Sequence, residues 1–300
     1  MEKRVVIAGG TGLVGSHLAR RLVNQGVKVQ ILTRAPRPTP SESIKLCPWT
    51  DLTAILEGAT ALINLAGEGI ADQRWSASRK STLLESRITP TRLLVKALAT
   101  VVHPPPVLVN ASAIGIYGTL DATPVDERHP PGKGFLAEIC QVWEGAADEA
   151  MALGLRVVKL RFGVVLAREG GALPILARPI RSFAGTSLGS GHQGFSWIHI
   201  EDLVRLILET MENPLWEGVI NATAPHPCSN AELTRQIAER LHRPVWPVPA
   251  FATQAAVKLL VGEMAEPMLL GGAFVVPAKA MALGFQFRFP VLAEALDDLL

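Results

Sequence analysis

Val5-Val6-Ile7-Ala8-Gly9-Gly10-Thr11-Gly12-Leu13-Val14-Gly15 is an apolar, β-branched run that breaks into glycines and leads into a helix-like stretch, Ser16 to Asn24. That order suits a strand-to-helix turn facing a dinucleotide. One glycine permits the tight turn, a second lets backbone N–H groups reach a pyrophosphate, and a third allows close packing of helix on strand, with the helix N-terminus directed at the negative charge. Gly9, Gly12 and Gly15 stand at these positions, with Thr11, Leu13 and Val14 between them. Gly26 ends the helix, and a second strand, Lys28 to Thr33, follows at the spacing of a βαβ unit.

The end of that second strand discriminates between cofactors. A site that reads the ribose of NAD places Asp or Glu there, so that a carboxylate accepts hydroxyl protons. Here stand Thr33 and Arg34. A guanidinium cannot accept those protons, but it forms charge-assisted, often bidentate bonds to a 2′-phosphate. The residues therefore favour NADP(H), with Arg34 as anchor and Arg37 as helper; a solvated loop arginine is the bland alternative.

Strand and helix patterns keep alternating down the chain, which predicts an α/β fold: a Rossmann-type doubly wound parallel sheet with right-handed crossovers. Ala61 to Ala66 reads as a buried strand, Glu85 to Thr100 as a helix stopped by His103-Pro104-Pro105-Pro106, Val107 to Ser112 as a strand, Phe135 to Leu153 as a helix and Arg156 to Leu166 as a strand. Residues 1–166 thus form a nucleotide-binding domain. It is completed by about 197–225, where Trp197 to Ile200 returns to the sheet, Asp202 to Glu212 is a helix with Asp202 suited to cap it, and Val219 to Ala222 is a strand. Glycine-rich 167–196 and residues 226–300 make a smaller, mainly helical substrate lobe, with Asn230 capping Ala231 to Leu241 and Pro290 opening the last helix, Val291 to Leu300.

Three hundred residues, 48% of them hydrophobic, suffice for a sizeable core, and a net charge of +2 without a basic aromatic patch argues against a nucleic-acid partner. Cys47, Cys140 and Cys228 are far apart and fit a reducing compartment; no histidine or cysteine spacing suggests a metal site. The first strand begins at once, leaving no room for a targeting peptide, so a cytoplasmic location is expected. Asn110-Ala111-Ser112 and Asn221-Ala222-Thr223 match the glycosylation pattern but fall in strands expected to be buried. No run of 18 charge-free and proline-free apolar residues exists to span a membrane; Val245 to Gly262 comes closest and reads as a loop and a buried helix, with a peripheral membrane contact as the alternative.

Further stretches are Asn64-Leu65-Ala66-Gly67-Glu68, Arg74-Trp75, Ser86-Arg87, Ser112-Ala113-Ile114-Gly115-Ile116-Tyr117-Gly118, Trp143-Glu144, Ser196-Trp197-Ile198-His199-Ile200-Glu201-Asp202 and Leu283-Gly284-Phe285-Gln286-Phe287. Together with the glycine turn they resemble the extended short-chain dehydrogenases/reductases, and more closely an atypical sugar-nucleotide epimerase-like branch with its own C-terminal domain. The resemblance implies that Leu65, Ala66, Gly67 and Glu68 line the cofactor, that Arg87 reaches it from the following helix, and that Gly163 and Val165 lie near its nicotinamide end. It also implies a small-molecule or nucleotide-sugar substrate, with Arg178 and Arg181 available for a diphosphate. A homodimer through the helix Thr82 to Thr100 is a further implication, although a core-facing stripe explains the same pattern.

Active members of that superfamily use a tyrosine general acid/base with a lysine four residues later. This chain has one tyrosine, Tyr117, followed four residues on by Asp121, and the expected place of the pair reads Phe135 and Ile139. Ser112 and Tyr117 are the residues left to polarise a substrate oxygen, and His199 is placed to reach a ligand. Two functions follow. One is an NADP(H)-dependent oxidoreductase or epimerase-like enzyme with an altered proton-transfer apparatus. The other is a non-catalytic NADP(H)-sensing regulator, for which the resemblance offers a link to cell division.

Overall fold

The computed structural model describes residues 3–36 and 43–300. Arg37 lies outside them. The chain runs β1 (Arg4–Ala8), α1 (Leu13–Asn24), β2 (Lys28–Leu32), β3 (Ile44–Cys47), α2 (Leu52–Leu56), β4 (Ala61–Asn64), α3 (Ala77–Leu98), β5 (Val107–Ala113), a 3₁₀ turn at Ile114–Tyr117, α4 (Phe135–Asp148) and β6 (Arg156–Phe162). There follow β7 (Val164–Leu166), α5 (Leu173–Arg181), β8 (Gly194–Phe195), β9 (Trp197–His199), α6 (Ile200–Glu212), β10 (Gly218–Ala222), β11 (Cys228–Ser229), α7 (Asn230–Leu241), α8 (Ala250–Val261), α9 (Ala278–Ala282) and α10 (Leu292–Leu299).

Seven strands form one sheet in the order β10-β6-β5-β4-β1-β2-β3, every neighbouring pair parallel. Both faces are covered, which is why the central strands β1 and β4 are almost wholly apolar, while β6 carries Arg156, Lys159 and Arg161 among its apolar residues. In β1, Val5 and Ile7 pack with Leu18 and Leu22 of α1 and Leu203 and Ile207 of α6, while Val6 and Ala8 pack with Leu52 of α2 and Leu94 and Leu98 of α3. The chain runs outward from β1 through β2 and β3, then crosses back to β4 on the other side of β1. The switch point therefore lies between β1 and β4, where a doubly wound sheet opens a crevice at its carboxyl end. Helices α5, α7 and α10 build a separate core from Leu173, Ile180, Leu233, Ile237, Leu292 and Leu296.

Several elements differ from the sequence reading. Helix α1 starts at Leu13 rather than Ser16, because Gly12 is its N-cap. Helix α3 starts at Ala77, capped by the Ser76 side chain, and buries Leu83, Ile88, Leu94 and Leu98 while Leu93 stays 44% exposed. Helix α4 gives way to 3₁₀ geometry over Glu149–Leu153. The strand expected over Arg156 to Leu166 changes partner at Gly163, whose N–H still donates to Ala222 O, whereas Val164 N–H donates to Ser196 O. Its second half, β7, pairs with β9, so Trp197 to His199 returns beside the main sheet and not into it.

Caps are shifted too. Asp202 does not cap α6; it is buried in the first turn and accepts from Arg288 and Phe289 N–H at 2.8 Å each, while His199 Nδ1 accepts from Glu201 N–H. Ser229, not Asn230, caps α7, since Asn230 Oδ1 accepts from Leu188 N–H. The last helix begins at Leu292 with Val291 as N-cap. Helix α8, expected to be buried, hides only Thr253 and Val257. Its neighbours Pro247 and Pro249 hold the preceding segment extended on the surface, so one narrow strip of the helix reaches the core.

Candidate functional site

The glycine turn sits at the switch point. Gly9 has φ +74°, and a Cβ there would fall 2.5 Å from Leu65 O. Gly15 packs so closely on the turn that a Cβ would meet Gly10 Cα and Gly9 O at 2.5 Å. Gly12 is different: it is exposed, and a Cβ would touch only Gly9 O at 3.4 Å. No side chain caps α1, so its first-turn N–H groups point into the space above Gly12. Thr11 is exposed, and Leu13 and Val14 are half-buried beside it.

Three further segments converge on this turn. Leu65 N–H donates to Ala8 O at 2.9 Å, and Ala66 N–H donates to Asn64 Oδ1 at 3.2 Å. Asn64 is in turn fixed by Nδ2–H bonds to Thr91 Oγ1 at 2.8 Å and Asn110 Oδ1 at 2.6 Å. The Arg87 side chain lies across Gly67, donating to Glu68 O and Leu83 O at 2.9 Å and stacking over the Trp143 ring at 5.3 Å. Burial holds its guanidinium below the usual arginine value. Glu68 pairs with Arg79, and its N–H donates to Ser86 Oγ at 3.1 Å. The third segment is the β7 turn: Gly170 and Gly171 lie against Leu13, and Gly171 against Val165 O, which ties Val165 to the start of α1, while Gly163 packs against Ser196 and Thr223.

Thr33 and Arg34 follow β2, whose Ile31 packs on Gly10. Thr33 Oγ1 accepts from Ala35 N–H at 3.3 Å. Arg34 is exposed, and among the described residues its guanidinium has no hydrogen-bond or ion-pair partner. An unclaimed cation beside a glycine turn and an uncapped helix suits a phosphate-bearing dinucleotide.

The expected catalytic residues are placed otherwise. Tyr117 is fully buried; its O–H donates to Asn221 Oδ1 at 2.7 Å and its oxygen accepts from Arg161 Nη1–H at 2.9 Å. Burial pushes its pKa up, despite the nearby Arg161 charge. In this structure the one phenolic proton of Tyr117 is engaged in the core and is not presented to the crevice. Ser112 Oγ–H likewise donates to buried Glu144 at 2.7 Å. Glu144 accepts from Arg161 Nε at 2.8 Å and Nη2 at 3.0 Å. Burial opposes the charge on Arg161, but the Glu144 carboxylate and Tyr117 outweigh it and raise the pKa. This Ser112–Glu144–Arg161–Tyr117–Asn221 chain links β5, α4, β6 and β10. Sequence reasoning missed Arg161 and gave Glu144 no role; the only signal was a charge inside an apolar strand.

Phe135 and Ile139 stand on the first turns of α4. Ile139 is buried, and Phe135 meets Trp75 edge-on at 5.0 Å, with Lys80 Nζ 5.1 Å from its ring and Lys80 paired to Glu263. This corner is an apolar wall with one cation beside it. His199 is buried too, capping α6, stacked on Phe289 at 3.8 Å and facing Asp298 at 3.3 Å. It borders a cavity of about 380 Å³ along α1, between His17, Arg21, Arg168, Arg205 and Asp298, which no residue of the glycine turn lines. Trp197 is core, its Nε1–H bonded to His226 O. Among the described residues no cluster of three metal-ligating side chains occurs, and no helix is long and apolar enough to cross a membrane.

Residues 5–221 match the NAD dependent epimerase/dehydratase family, and residues 248–299 match a domain of unknown function, DUF1731. An Arabidopsis thaliana chloroplastic homologue of epimerase family protein SDR39U1 is 40% identical over 98% of this chain and 86% of its own length. A Mycobacterium leprae epimerase family protein is 40% identical over 98% and 94%. Among solved structures, human epimerase family protein SDR39U1 (isoform 2) with NADPH superposes with a TM-score of 0.88 at 34% identity, covering 99% of this chain and 98% of the human one.

Proposed function

The chain belongs to the NAD dependent epimerase/dehydratase family, and on that premise we propose that it binds NADP(H) at the switch-point crevice and acts on a small or nucleotide-linked substrate as a reductase- or epimerase-like enzyme. The observation that carries the cofactor is Arg34, an exposed guanidinium at the end of β2 that has no hydrogen-bond or ion-pair partner among the described residues. The human relative crystallised with NADPH supports the same choice. The N–H groups of Leu13, Val14 and Gly15 would hold the pyrophosphate, Arg34 the 2′-phosphate, and the Leu65–Glu68 and Gly163–Val165 segments the flanks. When bound, NADP(H) supplies or accepts a hydride at its nicotinamide ring. Phe135 and Ile139 then contribute a dry wall and no proton, so protonation of a substrate oxygen would fall to solvent or to the substrate itself.

A second reading has its own observation. Ser112 and Tyr117 are both engaged in the buried network, which favours a protein that senses NADP(H) without turnover.

Fluorescence titration with NADPH and NADH tests the cofactor. Charge-assisted bonds from Arg34 should make NADPH tighter by about 10- to 100-fold, and Arg34→Asp should erase that preference. Equal or tighter NADH binding overturns the assignment. Oxidation of bound NADPH by a panel of carbonyl compounds and nucleotide sugars then separates enzyme from sensor.

A further inference from the structure

Residues 170–200 and 240–262 contribute basic side chains and no acidic ones to their surface, and Glu263 and Glu266 follow directly after α8. Asp and Glu make up 27 of 300 residues, one in eleven, yet neither occurs from Gly170 to Ile200 or from Arg240 to Gly262. The two stretches fold together: Trp246 Nε1–H donates to Phe183 O and Trp246 N–H to Gly185 O at 2.8 Å each, and Gly189 N–H donates to Thr253 Oγ1 at 3.0 Å. Arg178 and Arg181 in the last turn of α5, and Arg243 stacked 4.4 Å over the Phe183 ring, have no carboxylate partner among the described residues. Lys258 adds a fourth cation, 3.5 Å from Glu266.

Between these cations the surface is apolar and protrudes. Phe251 is 75%, Leu259 79% and Leu260 71% exposed, with Ile175, Phe183 and Trp246 each more than half exposed. On α8, Thr253 and Val257 form a narrow buried strip, and Phe251, Ala255 and Leu259, four residues apart, run down the open side. A helix on a water-exposed surface shows the reverse arrangement. Within the chain these side chains have little protein cover, although the end of α8 meets the 70s loop, where Arg74 Nη2–H donates to Leu259 O at 2.8 Å.

We propose that this face is an interfacial membrane-binding surface: the open side of α8, with Phe183 and Trp246, lies in the headgroup–acyl boundary of a bilayer carrying anionic lipid, and Arg178, Arg181 and Arg243 meet the phosphates. Charge selects this occupant. A second copy of the same face would set unpaired guanidinium groups against one another, whereas an anionic headgroup layer neutralises them. The 12 residues of α8 are too few to cross a bilayer, so the helix rests in the surface. The proposal does not depend on the dinucleotide reading.

Co-sedimentation of the full chain with phosphatidylcholine vesicles, with and without phosphatidylglycerol, tests it. Binding should require phosphatidylglycerol, weaken with added salt, disappear in Phe251→Glu/Leu259→Glu and fall about fivefold for each guanidinium removed in Arg178→Gln and Arg181→Gln. These side chains are exposed, so the unfolding temperature should stay the same in all variants, and sedimentation velocity should show no self-association. Absence of binding, or equal binding to neutral vesicles, overturns the proposal. A dimer that Phe251→Glu disperses, without vesicle binding, also overturns it and assigns the face to a second copy.

Discussion

Replacing Tyr117 with Phe separates a buried structural tyrosine from a proton donor at the cleft. The hydroxyl lies in the core, bonded to Asn221 Oδ1 at 2.7 Å and Arg161 Nη1 at 2.9 Å. Asn221 Oδ1 and one Arg161 N–H lose these partners in the variant, and a buried polar group without a partner costs about 1–3 kcal/mol. Removing the hydroxyl also removes its own burial cost, so the net loss should be about 2–4 kcal/mol. At about 2.1 cal/mol/K per residue, unfolding a chain of this length carries roughly 0.6 kcal/mol/K of entropy, which converts the loss into a Tm lowered by about 3–6 °C. Scanning calorimetry reads this directly, and NADPH titration on the same sample should change less than about twofold. An unchanged Tm together with NADPH binding or turnover reduced more than tenfold would refute the argument, because the hydroxyl would then have to face the cleft.

Gly12→Ala should fold with nearly unchanged Tm, since its Cβ meets only Gly9 O at 3.4 Å, yet lose NADPH affinity; Gly15→Ala, 2.5 Å from Gly10 Cα, should lose both stability and affinity. Equal effects on Tm would show that the pyrophosphate argument misplaces the open position. His199 has its pKa lowered mainly by burial, against the pull of Asp298, Asp202 and Glu201. The unfolded chain therefore takes up the proton first, and stability should fall as pH drops below about 6.5, the ordinary histidine value. Asn can still cap α6, so His199→Asn should lose less stability than the parent between pH 7.5 and 5.5 in urea melts, and identical slopes would exclude His199 as the source. Burial pushes the Cys140 thiol up to about 11 and Cys228 to about 12; iodoacetamide at neutral pH should modify neither in the folded protein, as mass spectrometry will show.

The sheet was legible in the sequence because its central strands are buried on both faces and read as short apolar runs, as in residues 5–8 and 61–63, and because Gly9 to Gly15 has few uses beyond a strand-to-helix turn at a phosphate. The caps were less so. Asp202 and Asn230 looked like N-caps by type and position, but each side chain is taken by a backbone N–H distant in sequence, from Arg288 and Leu188, leaving His199 and Ser229 to cap. Helix α8 misled for a related reason. An apolar composition predicts burial, yet a helix on an outlying lobe can have too little protein around it to cover more than one strip.

From sequence alone came the parallel α/β order, the glycine turn, Arg34 in place of a carboxylate, and the absence of a tyrosine–lysine pair, all properties of residues near one another along the chain. Only the tertiary structure decided what Ser112 and Tyr117 touch. Their partners, Glu144, Arg161 and Asn221, lie 32, 44 and 104 residues away and meet them only when β5, α4, β6 and β10 are stacked side by side. Once the sheet closes, hydroxyls without water must spend their hydrogen bonds on whatever the fold brings within reach.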